Sequence, residues 1–311
     1  MEKKIKRVLV ILGGTSRERK VSLDSGKACV KSIRKIGYKV DLFDPAKKHF
    51  NEIDKSKVDI IFNALHGKGG EDGTAQSYFE YLRIPYTHSG VICSMNAMDK
   101  VISKKIFKKN KILTPKYFVL KKTEFNKKKF KNLIRKNKFR FPIVVKPSDE
   151  GSSIGVKICK NSRDLEKNTS ALFKKFETLL FEKHIGGQEI QVAVMNNKAM
   201  GAIELKPVRG FYDYKAKYLK SAKTLHIMPA NLSKKNYFKV LRISEKAHKA
   251  LKCRGITRSD FKFLNNKFYL LETNTQPGMT NLSLVPEIAK YKGISFDLLV
   301  KKMILDASLN R

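Results

Sequence analysis

The stretch Arg258-Ser259-Asp260-Phe261-Lys262-Phe263, then Asn265-Asn266, then Phe268-Tyr269-Leu270-Leu271-Glu272-Thr273-Asn274-Thr275-Gln276-Pro277-Gly278 decides how the chain is read. Two apolar, aromatic-rich runs around an Asn-Asn turn predict a β-hairpin. Side chains alternate faces along a strand, so Arg258 shares a face with Asp260, and Glu272 with Asn274. Two carboxylates and an amide oxygen on one face are hard ligands suited to Mg²⁺, with a guanidinium beside them for phosphate. Pairing decides whether the two faces coincide. A two-residue loop at Asn265 and Asn266 would set Asp260 opposite Leu271 and turn Glu272 away. An odd loop such as 265–267 sets Asp260 opposite Glu272, and that loop is expected here. The plainer alternative is an amphipathic hairpin whose charges are simply solvated, and the rest of the chain weighs against it.

With 311 residues the chain has room for two or three domains, and its 41% hydrophobic and 10% aromatic content is globular. Cys29, Cys93, Cys159 and Cys253 stand alone, which argues against a zinc ribbon or disulfide framework and fits a reducing cytosol. The formal charge of +38 is mostly lysine and is spread along the chain, densest at Lys127-Lys128-Lys129 and from Lys136 to Arg140. Such a field draws anions such as ATP and holds polyanions loosely and in a salt-sensitive way, so no specific nucleic-acid partner is expected. The apolar run Val8 to Leu12 is short and meets Gly13-Gly14-Thr15-Ser16 and then charged residues, with no small-residue cleavage site. No stretch approaches the roughly 20 apolar residues of a membrane span. A cytoplasmic protein without a membrane partner is the expectation.

Residues 6–12 read as a buried parallel strand, followed by a Gly-Gly turn and a helix with Leu23, Val30, Ile33 and Ile36 on one stripe. Strands at Lys39–Phe43 and Val58–Leu65 and a helix over Thr74–Arg83 continue the alternation of a parallel sheet with helices on both faces. A second, α+β unit opens with a helix near Asp99–Asn110. It places strands at Tyr117–Leu120, Phe141–Pro147, Val156–Cys159 and Thr178–Lys183. The third carries hairpin strands Glu189–Met195 and Ala199–Leu205, a helix over Ser233–Lys252, the opening hairpin and a final helix over Ser295–Asn310. The fold class is thus α/β and α+β, with three domains at 1–96, 97–187 and 188–311. The polar stretch 206–229 is too long for a routine connection and reads as a lid loop.

Glu150-Gly151-Ser152-Ser153-Ile154-Gly155 lies between two strands. Glycines let the backbone ring a phosphate with N–H groups, and the hydroxyls of Ser152 and Ser153 add donors. This is neither a Walker loop nor a dinucleotide fingerprint. Lys146, at the end of the strand feeding the loop, supplies a point charge for a nucleotide phosphate.

With these segments in order, the chain resembles the D-alanine–D-alanine ligases of the ATP-grasp superfamily over essentially its whole length. The matching segments are 12–22, Ala64-Leu65-His66-Gly67 to Gly73, Met98-Asp99-Lys100, and Val145-Lys146-Pro147 with Glu150 to Gly155. They continue with Phe211-Tyr212-Asp213-Tyr214-Lys215-Ala216-Lys217-Tyr218, Arg258 with Asp260, and Leu271-Glu272 to Thr280. The resemblance implies an ATP-grasp fold whose N-terminal parallel-sheet unit precedes the grasp. It also implies ATP-dependent joining of two D-alanines through an acyl phosphate, for peptidoglycan precursor synthesis.

Position by position, the resemblance assigns Asp260, Glu272 and Asn274 to two Mg²⁺ ions, with Mn²⁺ able to substitute. Lys100, Lys146 and Lys217 fall to the ATP phosphates with Ser153. Glu182 and Glu189, with backbone groups near Lys183 and His184, form the adenine and ribose slot. Glu18 accepts the first D-alanine's ammonium and is linked to Ser152 and Tyr218, with His66 near the carboxylates. Arg258 and the Gly278 N–H form the oxyanion site, and Ser283 takes the second D-alanine's carboxylate. Tyr218, rather than phenylalanine, favours an amine acceptor over a hydroxy acid. A homodimer is expected from the resemblance alone. Lys20, His184 and Gln276 depart from the family's usual residues but remove no metal ligand or phosphate lysine.

Overall fold

The computed structural model describes residues 5–206, 224–280 and 282–311. The described residues form three sheets. The first is parallel, with β1 (Arg7–Ile11) between β2 (Lys39–Phe43) and β3 (Ile60–Asn63). α1 (Arg19–Lys35) packs on it through Cys29, Val30 and Ile33, with Leu23 and Ile36 partly buried against the same core, so the anticipated stripe of Leu23, Val30, Ile33 and Ile36 faces inward. α2 (Thr74–Leu82) and α3 (Val91–Met98) follow. α3 was not legible from periodicity, because VICSMNAM is apolar nearly all round.

The second sheet is antiparallel in the order β4-β7-β5-β6: β4 (Tyr117–Lys121), β5 (Ile143–Pro147), β6 (Lys157–Cys159) and β7 (Thr178–Lys183). α4 (Lys100–Lys109) leads into it. α5 (Lys127–Lys136) and α6 (Ser162–Phe173) bury Phe130, Ile134, Leu165 and Leu172 against it. Asp99, Asn126 and Asn161 cap these three helices by accepting from first-turn N–H groups.

The third sheet is antiparallel in the order β10-β9-β8-β11-β12. Its strands are β8 (Gln188–Met195), β9 (Lys198–Lys206), β10 (Leu225–Ile227), β11 (Ile256–Leu264) and β12 (Lys267–Asn274). α7 (Lys234–Ala250) covers one face through Val240 and Ala247. α8 (Leu284–Tyr291) and α9 (Phe296–Asp306) pack on the other, in one core shared with Val8, Val10 and Phe62 of the first sheet. α8 was not anticipated; its Pro286 sits within the first turn, where a missing N–H costs no helical hydrogen bond. The far end of the stretch read as a lid, 206–229, contributes β10. Lys217 and Tyr218 lie outside the described residues.

Candidate active site

The β11–β12 hairpin corrects one expectation and explains why its consequence survives. The loop is not odd-numbered. Leu264 pairs with Lys267, leaving a two-residue turn of Asn265 and Asn266. Both have positive φ, 48° and 57°, the twist that joins antiparallel strands tightly and that asparagine tolerates. From the turn the ladder runs regularly to Phe261 opposite Leu270, then skips Leu271, so that Asp260 pairs with Glu272 and Arg258 with Asn274. Leu271 is the extra residue of a β-bulge, and it reverses which face the following side chains take. On the buried face Ser259 and Thr273 hydroxyls meet at 3.0 Å. The other face gathers Arg258, Asp260, Glu272 and Asn274.

Arg258 donates to both Asp260 oxygens, from Nε at 2.8 Å and Nη2 at 3.1 Å, a bidentate clamp that fixes the carboxylate. Asn274 Oδ1 accepts from the Gln276 N–H at 2.8 Å, which sets the carboxamide's orientation and leaves its second lone pair. No three His, Cys, Asp or Glu among the described residues gather to hold an ion by themselves. The hairpin offers instead two carboxylates and an amide oxygen, all hard donors, and this set fits a hard divalent cation.

A first cleft brings together Glu18, His66, Glu71, Ser152, Arg258, Asn274 and Gly278. Glu18 is 5% exposed and lies in a slot walled by glycines. A Cβ on Gly151 would sit 2.7 Å from Glu18 Oε2, and one on Gly67 2.8 Å from it. Ser152, held at φ 46°, donates to Glu18 Oε1. The Gly13-Gly14 turn is locked by Asp44, which accepts from Gly14 N–H at 3.0 Å and pairs with Arg19 at 2.7 Å. Ser16 Oγ donates to the His66 carbonyl at 2.6 Å and accepts from Glu18 N–H at 3.1 Å, tying the two loops together.

Glu71, singled out by no sequence argument beyond its place in the His66–Gly73 segment, completes this cleft. It accepts from Gly67 N–H at 3.0 Å. Burial, with Glu18 beside it, pushes its carboxyl up to about 8, so one proton relieves the repulsion between the two acids. His66 is buried, its Nε2 3.3 Å from Ser25 Oγ, and burial lowers it to about 4, so the ring is neutral. Gln276 is buried too: it accepts from Asn63 Nδ2 at 2.9 Å and donates to the Leu65 carbonyl, a structural tie between β3 and the end of β12. Ser283 stands just before α8, and its Oγ accepts from Thr280 N–H of the preceding loop at 2.9 Å and lies 2.9 Å from where a Gly278 Cβ would sit.

A second cleft lies between the second and third sheets, lined by Lys146, Ser153, Glu182, Lys183, His184, Glu189 and Asp260. Lys146 Nζ is 2.8 Å from Glu182 Oε2, and the fully buried Lys104 is 2.5 Å from Oε1. Burial pushes the Glu182 carboxyl up, but the two ammoniums outweigh it and hold the group below its ordinary value. Lys262 pairs with Glu189 across the β8–β11 ladder at 2.9 Å. His184 is half-buried, and burial, then the nearby Lys262, lower it. Lys104 is the second residue that the sequence reading missed, because nothing local marks one lysine among so many.

The two clefts share Lys100, Glu150 and Glu272. Lys100 Nζ donates to the Glu150 carbonyl at 2.5 Å and lies 3.7 Å from Glu272 Oε2. The structure therefore joins an acidic, glycine-walled pocket to a lysine-lined one, with Glu272 at the junction.

Two antiparallel sheets closing on a lysine-lined cleft, behind a parallel-sheet unit, define an ATP-grasp enzyme of the ligase class. The model of the D-ala D-ala ligase C-terminus matches residues 106–305 and that of the N-terminus residues 43–89. The chain is 57% identical to the D-alanine–D-alanine ligase of Pelagibacter ubique (strain HTCC1062) over 310 residues, covering 98% of this chain and 99% of that one. It is 42% identical to that of Methylobacterium radiotolerans, covering 98% and 99%. The crystal structure of D-alanine–D-alanine ligase from Bacillus anthracis superposes with a TM-score of 0.84 at 35% identity, covering 97% of each chain. The same protein complexed with ATP gives 0.83 at 32% identity. The chain belongs to the D-alanine–D-alanine ligase family.

Proposed function

We propose that this chain joins two D-alanine molecules at the expense of ATP, through an acyl phosphate, to supply a peptidoglycan precursor. The observation that carries this reading is the meeting of the two clefts at Lys100, Glu150 and Glu272, where an acid held in one can reach a phosphate held in the other. Glu18, aligned by Ser152, takes the first substrate's ammonium, and His66 lies near that substrate's carboxylate. Lys100 and Lys146 face the phosphates with Ser153, joined by Lys217. Glu182, Lys183, His184 and Glu189 form the adenine and ribose end. Each Glu182 oxygen retains a lone pair beyond its lysine partner. Arg258 and the Gly278 N–H stabilise the oxyanion as the second amine attacks, and Ser283 orients the second carboxylate. The same reading assigns Tyr218, which lies outside the described residues, to the substrate end.

Asp260, Glu272 and Asn274 would hold two Mg²⁺ ions, replaceable by Mn²⁺. When bound, such ions neutralise charge on the transferring phosphoryl group. The division at 1–96, 97–187 and 188–311 belongs to this reading, each part carrying a sheet of its own, with 206–229 as the lid. A homodimer is part of it as well, supported by Tyr81, Ile92 and Met95, which are 82%, 64% and 51% exposed on α2 and α3. No helix among the described residues is long and apolar enough to cross a membrane, and cytoplasmic action on free D-alanine and ATP is proposed. Phosphate release with ATP and Mg²⁺ should require D-alanine and fail with L-alanine; equal release without any amino acid would refute the reading.

A further inference from the structure

Lys104 is a cation that reaches neither cleft. Its side chain is 0% exposed, one helical turn beyond Lys100 on α4, and the lining of both clefts excludes it. Burying an ammonium costs several kcal/mol unless partners compensate it. Lys104 has three. Glu182 Oε1 lies at 2.5 Å, the Leu271 carbonyl at 3.5 Å, and the Tyr117 ring centroid at 5.7 Å. Glu182 in turn holds Lys146 at 2.8 Å, and Lys146 lines the nucleotide cleft. Leu271 is the bulged residue immediately before Glu272.

We propose that Lys104 is a positioning residue that acts on the nucleotide's phosphates through Glu182 and on Glu272 through the Leu271 carbonyl, resting on the ligase reading above. A lone Glu182 would neutralise Lys146 one to one. With Lys104 behind it, the Lys104–Glu182–Lys146 row carries one surplus positive charge, and Lys146 presents it to a polyphosphate. The ammonium also reaches the Leu271 carbonyl at 3.5 Å, beside the bulge, holding the backbone from which Glu272 projects.

The test is ADP and adenosine binding by titration calorimetry, in EDTA so that no metal contributes, with thermal melts alongside. Lys104→Met should weaken ADP about tenfold, through loss of one charge behind the phosphate lysine, and leave adenosine unchanged. Lys104→Arg, which keeps the surplus charge and leaves Glu182 intact, should hold ADP near wild-type affinity. A purely structural lysine would move ADP and adenosine together. Folded Lys104→Met that binds ADP as wild type does, or loses ADP and adenosine equally, overturns the proposal. If Lys104→Met does not fold, Lys104→Gln, which also removes the charge, takes its place in the same titration, with the same expected and overturning results. Wild-type protein that binds no ADP overturns both this proposal and the ligase reading. Wild-type binding with an unresponsive variant set overturns this one alone.

Discussion

Asp260 faces Glu272 across the β11–β12 ladder because one residue, Leu271, bulges out between that pair and the turn. The carboxylate alignment therefore depends on two local devices together: a tight asparagine turn and a single extra residue in one strand.

The turn can be tested by itself. Asn266 sits at φ 57°, so Asn266→Gly should leave stability unchanged or slightly raised, whereas Asn266→Val should cost about 1–3 kcal/mol for a β-branched residue forced into that region. Chemical denaturation of the two variants checks it; equal stabilities would contradict the turn geometry.

The glycine slot around Glu18 makes a different prediction. A methyl at position 151 would crowd Glu18 Oε2 from 2.7 Å. Gly151→Ala should therefore raise the KM for D-alanine while the KM for ATP holds. Steady-state kinetics with each substrate varied separately distinguishes this from a general loss of fold.

Arg258 clamps Asp260 and lines the first cleft. Arg258→Ala removes an oxyanion donor and should lower kcat by about 10²–10³-fold. Arg258→Lys should recover little, since an ammonium cannot span both carboxylate oxygens. A lysine variant with wild-type kcat would show that charge alone suffices.

Stability should vary with pH in a defined way. Burial lowers His66 and His248 to about 4 and His88 to about 3. They are neutral when folded but gain a proton on unfolding below about pH 6.5, so stability falls as pH drops from there, by up to about 1.4 kcal/mol per pH unit per histidine. Glu71, raised to about 8, keeps its proton in the fold while the unfolded chain loses it, so stability also declines between about pH 4.5 and 8. Three histidines outweigh one carboxyl below about pH 6.5, and the melting temperature should peak there. Glu71→Gln should flatten the curve above about pH 6.5 and steepen it between about pH 4.5 and 6.5; a variant curve parallel to wild type above pH 7 would contradict the burial of that proton.

Much of this was legible in the sequence because the physics is local. The stripe on α1 and the β8–β9 hairpin follow from periodicity and turn chemistry. The Asn-Asn dipeptide is itself a two-residue turn signal, and adjacent Leu270 and Leu271 break the strand's alternation. Read together, those two signs would have placed the bulge. Glu71 and Lys104 were not legible, because their roles arise from contacts with Glu18 and Glu182, 53 and 78 positions away. Only the fold brings those charges together.

The most direct test of the account is D-alanine-dependent phosphate release from ATP in the presence of Mg²⁺, measured on wild type and on folded Glu272→Gln. Turnover by wild type and none by the variant is the predicted result. Wild-type rates in Glu272→Gln would contradict the assignment of the hairpin face to metal and phosphate.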